Sequence, residues 1–401
     1  MPYDLFGIPF EYFFFALTLL GIALLHHASF QVAMTGFFAV SLYKIFVTGF
    51  GAGPGLMGFG LHMAHEWVTL VNLLALILGF SILARHFEKS HVPVILPRWL
   101  PADWKGGLVL LVLIFFISSF LDNIAAALIG GAMAHQLFQG RVHVAFVAAI
   151  VAASNAGGAW SVVGDTTTTM MWIQGVSPSD VLRCFGPALL ALFIFGIPAA
   201  RTQQAYSPII RHVHAHTHVD WGRVGIVFFI LALAIITNVV VNQHFQDASG
   251  AFPYIGAAVW LGILLTASVR RHDWELIPEN LKGTCFLLAL VSLASMMPIE
   301  SLPTPSWQSA MGLGFVSAAF DNIPLTALAL KQGGYDWGFL AYAVGFGGSM
   351  LWFGSSAGVA LSNMYPEAKS VGLWVRYGWP IAVAYSLSYL LMVIVIGWQP
   401  L

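Results

Sequence analysis

The chain has 401 residues, of which 59% are hydrophobic and only 8% are charged, and its formal net charge at pH 7 is −1. Soluble domains carry about 25% charged residues, so the composition excludes a water-soluble protein and indicates an all-α polytopic membrane protein. With no basic patch, a nucleic-acid partner is excluded. Cys184 and Cys285 give neither a disulfide framework nor a metal-ligand spacing. Residues 1–15 contain no Lys or Arg, so we expect no signal peptide.

Apolar runs long enough to cross about 30 Å of hydrocarbon recur along the whole chain. Ten such runs lie at about 10–27, 28–50, 66–85, 143–172, 180–200, 222–242, 252–270, 283–298, 336–364 and 376–398. Two further apolar segments, at about 106–137 and 307–331, are each interrupted by an Asp-Asn pair. Each segment could be two crossings or one re-entrant hairpin, and the acid in mid-segment favours the hairpin.

The basic residues indicate how the chain is oriented. If both interrupted segments are hairpins and the N-terminus is outside, every Lys and Arg except Lys44, Arg183 and Lys331 falls on the inner side. The reverse orientation would violate the positive-inside rule. We therefore expect both termini outside.

Each half of the chain then has five crossings and one hairpin. The first unit comprises residues 1–200 and the second residues 222–401, with a cytoplasmic linker at 201–221 between them. Because five is odd, the second unit is inverted relative to the first. Inverted repeats with helices broken at mid-membrane are the architecture of secondary transporters.

Two pairs of motifs support a duplication. "LDNIAAALI" (121–129) is similar to "FDNIPLTAL" (320–328), and "SNAGG" (154–158) is similar to "SSAGV" (355–359). Both pairs are separated by nearly the same distance along the chain, about 200 residues. We therefore expect these stretches to be counterparts in the two units.

Acidic residues inside the apolar segments are candidates for ion binding. Only Asp122, Asp165 and Asp321 lie well inside such segments, and no Lys or Arg lies nearby in sequence to neutralise them. An ionised Asp at the centre of a membrane helix costs at least ~2.5–3.5 kcal/mol. These acids are therefore protonated, bind a cation, or alternate between the two. The alternative is an acid that only satisfies backbone groups at a hairpin tip.

Two glycine-rich stretches predict broken helices. In "SNAGGAWSVVGDTTTTMMW" (154–172), an unwound helix would expose carbonyls that suit Na⁺. The side chains that add oxygen ligands there are Asn155, Ser161, Asp165, Thr166 and Thr167. The second stretch, "GFGGSMLWFGSSAGVALSN" (345–363), offers serine hydroxyls but no acid. We expect cation and proton binding to depend mainly on the first half, with Asp321 added from the second hairpin. Close packing of helices on small residues is the alternative.

Other motifs point away from catalysis. "HMAHE" (62–66) is not the H-E-x-x-H of zinc proteases, so a metalloprotease is rejected. Glu66 is interpreted as an interfacial carboxylate, with an accessory proton-binding group as the alternative. The four alternating histidines of "RHVHAHTHV" (211–219) indicate a solvated loop, with a metal or pH sensor as alternatives. No nucleotide-binding loop and no catalytic triad is recognisable. We expect neither an enzyme nor an ATP-driven pump.

Four stretches together resemble the ion transporter superfamily, and within it the NhaD-type sodium/proton antiporters: "SSFLDNIAAALI", "SNAGGAWSVVGDTTTTMMW", "AFDNIPLTALAL" and "GFGGSMLWFGSSAGVA". Citrate and dicarboxylate carriers and arsenite permeases are related branches. The resemblance implies a scaffold domain that dimerises and a transport domain, made from hairpins and broken helices, that moves like an elevator. It implies these ion-binding residues: Asp122, Asn123, Asn155, Asp165, Thr166, Thr167, Asp321, Asn322, Ser349, Ser355 and Ser356.

The hairpin tips decide between a cation and an anion. Dicarboxylate carriers of this superfamily typically show Ser-Asn-Thr at both tips, whereas both tips here read Asp-Asn-Ile. The additional negative charge disfavours an anionic substrate. We therefore expect an antiporter of Na⁺ or Li⁺ against protons in a bacterial-type cytoplasmic (inner) membrane, with Na⁺ and protons shared by Asp122, Asp165 and Asp321 and no further cofactor. A coupled citrate or dicarboxylate carrier and an arsenite permease stay open as alternatives.

Overall fold

The computed structural model describes residues 4–5, 8–25, 28–95, 100–209, 218–245 and 251–400. Within these ranges the chain is mostly helical. Two very short strands, β1 (Asp4–Leu5) and β2 (Ile8–Pro9), pair antiparallel directly before the first helix.

The first half of the chain forms helices α1 to α10. These are α1 (Phe10–Leu24), α2 (Ser29–Tyr43, continued by a π-helical turn, Lys44–Thr48), α3 (Gly55–Lys89), α4 (Val92–Ile95), α5 (Trp104–Ser118), α6 (Asn123–Leu137), α7 (Val144–Ala159), α8 (Thr166–Ile173), α9 (Pro178–Leu182) and α10 (Phe185–Tyr206).

The second half forms helices α11 to α18. These are α11 (Trp221–His244), α12 (Tyr254–Thr266), α13 (Leu276–Ser295), α14 (Trp307–Ser317), α15 (Asn322–Gln332), α16 (Trp337–Ala341), α17 (Ser356–Met364) and α18 (Val371–Val395). Between α16 and α17 the chain passes through a π-helical turn (Tyr342–Phe346) and a 3₁₀ turn (Gly348–Met350).

The helix lengths make this chain an integral membrane protein. Among the described residues, six helical segments are long and apolar enough to cross a membrane: Ser29–Thr48, Gly55–Lys89, Pro178–Tyr206, Trp221–Val241, Leu276–Ser295 and Val371–Val395. Shorter apolar helices accompany them: Phe10–Leu24, Trp104–Ser118, Val144–Ala159 and Tyr254–Thr266. An all-α polytopic membrane protein is what the composition predicts.

The predicted crossing at 66–85 starts about three helical turns after the true beginning of its helix. The sequence predicts a crossing over 66–85, whereas α3 begins at Gly55, directly after Pro54, and runs to Lys89. The polar residues before position 66 hide this first part of the helix from a hydropathy reading. The fold accommodates one of them through a neighbour, because His62 Nε2 lies 3.0 Å from Ser295 Oγ of α13.

The helices pack into two groups. The scaffold group, as we call it, contains α1, α2, α3, α11, α12 and α13. The core group contains α5, α6, α7, α10, α17 and α18 together with the turns that follow α16. Helix α7 is buried along its whole length at the centre of the core group. Helices α8 and α15 lie between the groups, where α8 packs on α3 and α15 packs on α13.

Both Asp-Asn interruptions divide their segments in the same way. Asp122 ends the turn after α5 and is the N-cap of α6, with φ −53° and ψ 141°. Asp321 has the same place between α14 and α15, with φ −54° and ψ 138°. An N-cap residue adopts a non-helical backbone and its side chain satisfies a free amide of the next helix. The Asp at each interruption therefore marks where one helix ends and another starts.

The two glycine-rich stretches are broken helices, as predicted, but the predicted pairing of "SNAGG" with "SSAGV" is wrong. Residues 154–158 lie at the end of the helix before the first break, whereas residues 355–359 begin the helix after the second break. The close backbone contact that recurs at both breaks involves other pairs of glycines, Gly158 with Gly164 and Gly348 with Gly354. A Cβ on Gly158 would lie 2.6 Å from the Gly164 carbonyl oxygen, and a Cβ on Gly348 would lie 2.7 Å from that of Gly354.

These contacts also show which residues correspond across the two breaks. Asp165, the N-cap of α8, has φ −144° and ψ 146°, and Ser355, the N-cap of α17, has φ −142° and ψ 150°. The acid of the first break therefore corresponds to a serine in the second. The resemblance of small residues in "SNAGG" and "SSAGV" is not a positional equivalence, because glycine and serine recur on both sides of each break.

Two features of the sequence stay predictions. The histidines at 212, 214 and 216 of the His-rich loop lie outside the described residues. The division into repeat units at 1–200 and 222–401 stays a prediction, since both the scaffold group and the core group take helices from each half.

Candidate functional site

The aspartates of the two Asp-Asn pairs cap the helices that follow them. Asp122 Oδ2 accepts a hydrogen bond from Ile124 N at 3.1 Å, and Asp321 Oδ1 accepts one from Ile323 N at 3.0 Å. Asp321 Oδ2 also accepts from Ser356 Oγ at 3.2 Å. Capping occupies only part of each carboxylate, so both aspartates keep oxygen lone pairs for another ligand.

Asp165 has the same capping role at the first broken helix, but it is more deeply buried. Its side chain accepts from Thr167 N at 3.2 Å, and the residue is 2% exposed. The other carboxylate oxygen lies 3.4 Å from Asn322 Nδ2, which comes from the tip of α15. The start of α15 therefore contacts the acid of the first broken helix directly.

The threonine run after Asp165 does more than supply ligands. Thr168 Oγ1 donates to the Ser161 carbonyl at 2.6 Å, and Thr169 Oγ1 donates to the Val162 carbonyl at 3.0 Å. These bonds hold the unwound residues against the start of α8. Thr167 is fully buried and Thr166 is half-buried, so the two predicted ligand threonines lie at different depths.

Asn155 joins the two halves of the molecule at a single side chain. It is fully buried, and its Nδ2 donates to Ser349 Oγ at 2.9 Å and to Ser355 Oγ at 3.0 Å. Its Oδ1 accepts from Asn123 Nδ2 at 3.1 Å. The start of α6, the first broken helix and the second broken helix therefore meet in one hydrogen-bonded network.

Two cavities reach this network. The larger, about 600 Å³ in volume, is lined by Asp122, Asp165 and Thr166, and at its mouth by Arg85 and Glu88 of α3. Its walls come from α3 and α13 of the scaffold group on one side and from α6 and α8 on the other.

The smaller cavity, about 320 Å³ in volume, is lined by Asp321, Ser355 and Ser356. Its opposite wall is formed by Leu19, Ile22 and Ala23 of α1. Ile124, the second residue of α6, lines both cavities. The polar network therefore separates two cavities, each with carboxylate oxygens on its wall.

The three predicted sodium-binding carboxylates do not converge on one point. Among the described residues, no group of three His, Cys, Asp or Glu side chains is placed to hold a metal ion together. Asp122 and Asp165 face one cavity, while Asp321 faces the other. A sodium site made of all three carboxylates is therefore not formed in this conformation. Any ion here would depend on hydroxyl, amide and carbonyl oxygens as well.

Sequence reasoning missed two serines that hold the broken helices in place. Ser118 Oγ donates to the Ser154 carbonyl at 2.6 Å, and Ser317 Oγ donates to the Val344 carbonyl at 2.9 Å. Each serine precedes its tip aspartate by the same spacing, in "SSFLDN" and "SAAFDN". That shared spacing is a signal from which both could have been found.

The chain was also compared with known proteins, and no protein-family model matches it. It is similar to "Sodium/proton antiporter 1" of Arabidopsis thaliana, with 27% identity over 332 residues, covering 74% of this chain and 55% of that protein. Two proteins named "Na(+)/H(+) antiporter NhaD" are also similar. The one from Halomonas elongata is 24% identical over 69% of this chain and 65% of its own length. The one from Vibrio parahaemolyticus is 26% identical over 75% of this chain and 84% of its own length.

The matches differ in how much they cover. The chain spans about half the length of the Arabidopsis antiporter and a larger share of the two bacterial proteins. A Helicobacter pylori protein with a phosphatidyltransferase name matches over 34% of this chain only. The longer matches are therefore all to proteins named as transporters rather than as enzymes.

Proposed function

We propose that this chain, which resembles the NhaD-type sodium/proton antiporters, exchanges Na⁺ or Li⁺ for protons across the cytoplasmic (inner) membrane. The observation that carries the proposal is the position of Asp165. Its carboxylate is almost fully buried, lines the larger cavity, and is contacted by the opposite hairpin through Asn322. The names of the relatives support the same activity.

The mechanism we propose is competition for one carboxylate. Asp165 accepts hydrogen bonds from neutral groups only, and within the described part of the chain no Lys or Arg forms an ion pair with it. A buried carboxylate that has no cationic partner is costly when ionised. Either a proton or a metal ion removes that cost. Entry of Na⁺ therefore displaces one proton from the carboxyl group, and entry of a proton displaces the Na⁺.

The two cavities suggest where the moving parts lie. The larger cavity runs between scaffold helices α3 and α13 and helices α6 and α8, so a shift of the second pair along the first would close it. We propose that the hairpins α5–α6 and α14–α15 and the broken helices travel together as an elevator past the scaffold group. Re-entrant hairpins, inverted repeat units and a homodimer built on the scaffold group belong to the same proposal.

A carboxylate carrier is less well supported. Helix N-termini at α6 and α15 would suit an anion. However, the side chains of Asp122 and Asp321 already accept from these amides and add negative charge there. The proposal therefore favours a cation at both tips.

The test uses the purified full chain in liposomes with an imposed pH gradient. Addition of Na⁺ or Li⁺ is expected to dissipate the gradient, and citrate or arsenite is not. Asp165→Asn keeps an oxygen that can cap α8, since Asn and Asp cap about equally well, but it cannot exchange a proton for Na⁺. We expect it to lose at least about ten-fold in rate.

The matched control is Asp103→Asn, the same substitution at an exposed N-cap, where Asp103 accepts from Lys105 N at 3.0 Å. It is expected to transport at the wild-type rate. Undiminished Na⁺-dependent dissipation by Asp165→Asn, or saturable citrate uptake by the wild type, would contradict the proposal.

A further inference from the structure

A pair of buried histidines lies apart from the carboxylates, at the end of α3 near the mouth of the larger cavity. His86 is in the last turn of α3, and His272 is in the loop after α12. They are 1% and 6% exposed. Their ring centroids are 4.5 Å apart, in an edge-to-face arrangement at 69°. Nothing in the proposed transport chemistry uses them.

The hydrogen bonds of the pair fix which nitrogens carry protons. Arg223 of α11 can only donate, and its Nη1 lies 3.2 Å from His86 Nδ1. His86 Nδ1 is therefore an acceptor, so in the neutral ring the proton is on Nε2. That Nε2–H is in hydrogen-bond contact with His272 Nδ1, which must accept it.

The chain of bonds ends on the backbone of α12. Since His272 Nδ1 accepts, its proton is on Nε2, which lies 2.8 Å from the Ile263 carbonyl oxygen. A carbonyl can only accept, so the direction agrees at both ends of the chain. All four imidazole nitrogens are satisfied when both rings are neutral.

An additional proton can bind only by breaking this arrangement. On His86 it would sit on Nδ1 and face the Arg223 guanidinium, and on His272 it would sit on Nδ1 and face the Nε2–H of His86. Either position replaces a hydrogen bond by two donors facing each other. The new charge would also be buried beside a cation.

The charged groups around the pair are already committed to each other. Asp273 pairs with Lys89 at 2.6 Å, and Asp220 pairs with Arg270 at 3.0 Å and lies 3.6 Å from Arg223. In the part of the chain that the structure describes, neither carboxylate is bonded to an imidazole. Asp273 favours a charged His272, but its effect is smaller than the opposing effects taken together. Burial, together with the nearby charge of Arg223, lowers the pKa of the His272 imidazole.

We propose that His86 and His272 form a second proton-binding site, whose protonation breaks the bond chain that ties the end of α3 to α11 and α12. The ligand is a proton from the aqueous side onto which the larger cavity opens. Arg85 and Glu88, on either side of His86 along α3, line the mouth of that cavity and pair with each other at 2.8 Å. Acidification on this side therefore loosens the wall through which an ion enters. Only this effect on ion entry rests on the proposed antiport.

The first test measures exchange of the imidazole C2 hydrogen for deuterium in the wild-type chain in detergent, by mass spectrometry, from pH 5 to pH 9. The exchange rate of each histidine reports its own titration and its access to water. We expect His86 and His272 to exchange several-fold more slowly across this pH range than His65, an exposed histidine on the same helix. Equal exchange rates at all three histidines would overturn the proposal.

The second test follows the unfolding temperature against pH. Unfolded histidines take up protons near pH 6.5, while the folded pair stays neutral to lower pH. The unfolded state therefore binds more protons in acid, and folding stability is lost as the pH falls below about 6.5. Between pH 8 and pH 5.5, we expect the unfolding temperature of the wild type to fall by about 2–4 °C more than that of the double variant His86→Gln/His272→Gln.

The control variant is His65→Gln, which should keep the full acid sensitivity of the wild type. An equal fall in unfolding temperature for the wild type and the double variant would overturn the proposal. Neither measurement involves transport, so failure of the proton site and failure of the antiport proposal are distinguishable.

Discussion

Replacement of Asn155 by alanine tests whether the network at the centre of the molecule holds the site together. The substitution removes two bonds donated to serine hydroxyls, at 2.9 and 3.0 Å, and one accepted from Asn123 at 3.1 Å. The residue is fully buried, so water does not reach the groups left behind. The start of α6 would then lose the hydrogen bonds through Asn155 that join it to the second broken helix.

The expected loss follows from the number of bonds. A net contribution of about 1 kcal/mol for each intramolecular hydrogen bond gives about 3 kcal/mol for the three. The effect of 1 kcal/mol on the unfolding temperature shrinks with chain length, and for a chain of this size it is about 1–2 °C. We therefore expect Asn155→Ala to unfold about 3–6 °C below the wild type. If the same loosening acts on the ion site, Na⁺ affinity falls about ten-fold or more.

The assay is thermal unfolding of the purified chain in detergent, with and without Na⁺, followed by Na⁺-dependent dissipation of a pH gradient in liposomes. Asn280→Ala is the matched control. Asn280 also lines the larger cavity, but its side chain makes one bond, at 2.9 Å, to the Leu276 carbonyl of its own helix. We expect the free energy of unfolding of Asn280→Ala to stay within about 0.5 kcal/mol of the wild-type value. Equal behaviour of the two variants would refute the reasoning about Asn155.

Three further predictions concern other parts of the structure. Gly348→Ala places a Cβ 2.7 Å from the Gly354 carbonyl oxygen, so we expect it to lower both the transport rate and the unfolding temperature. Gly283→Ala is the control, because its Cβ would meet nothing within 4 Å, and the unfolding temperatures of both variants check the prediction. Asp321→Asn should keep its helix cap but weaken Na⁺ dependence in liposomes, and an unchanged Na⁺ dependence would count against a role for this carboxylate. The hydrogen bond from Arg270 lowers the pKa of Asp220, so its stabilisation is present above about pH 4 and lost as the pH falls further. The unfolding temperature of Asp220→Asn should therefore lie slightly below that of the wild type at pH 7. This difference in unfolding temperature should vanish in acid and shrink in high salt.

Much of the candidate site is visible in the sequence because charge is so rare in it. Asp122, Asp165 and Asp321 stand out as acids in apolar surroundings, and each is the N-cap of a helix at an interruption. The glycines of both breaks are equally visible. What the sequence does not reveal is the register between the two breaks. Similar small residues occur on either side of each, and only the backbone positions show that Asp165 corresponds to Ser355.

The amino-acid sequence by itself determined that this protein lies in a membrane, where its helices break, and which acids interrupt them, because the cost of a charge in hydrocarbon is set by local composition. The tertiary structure alone decided which of these groups meet. Asn155 bonds to Ser355, 200 positions away, and His86 to His272, 186 positions away. It also separates the three aspartates between two cavities. Such contacts depend on how distant helices pack, and no local pattern encodes that packing.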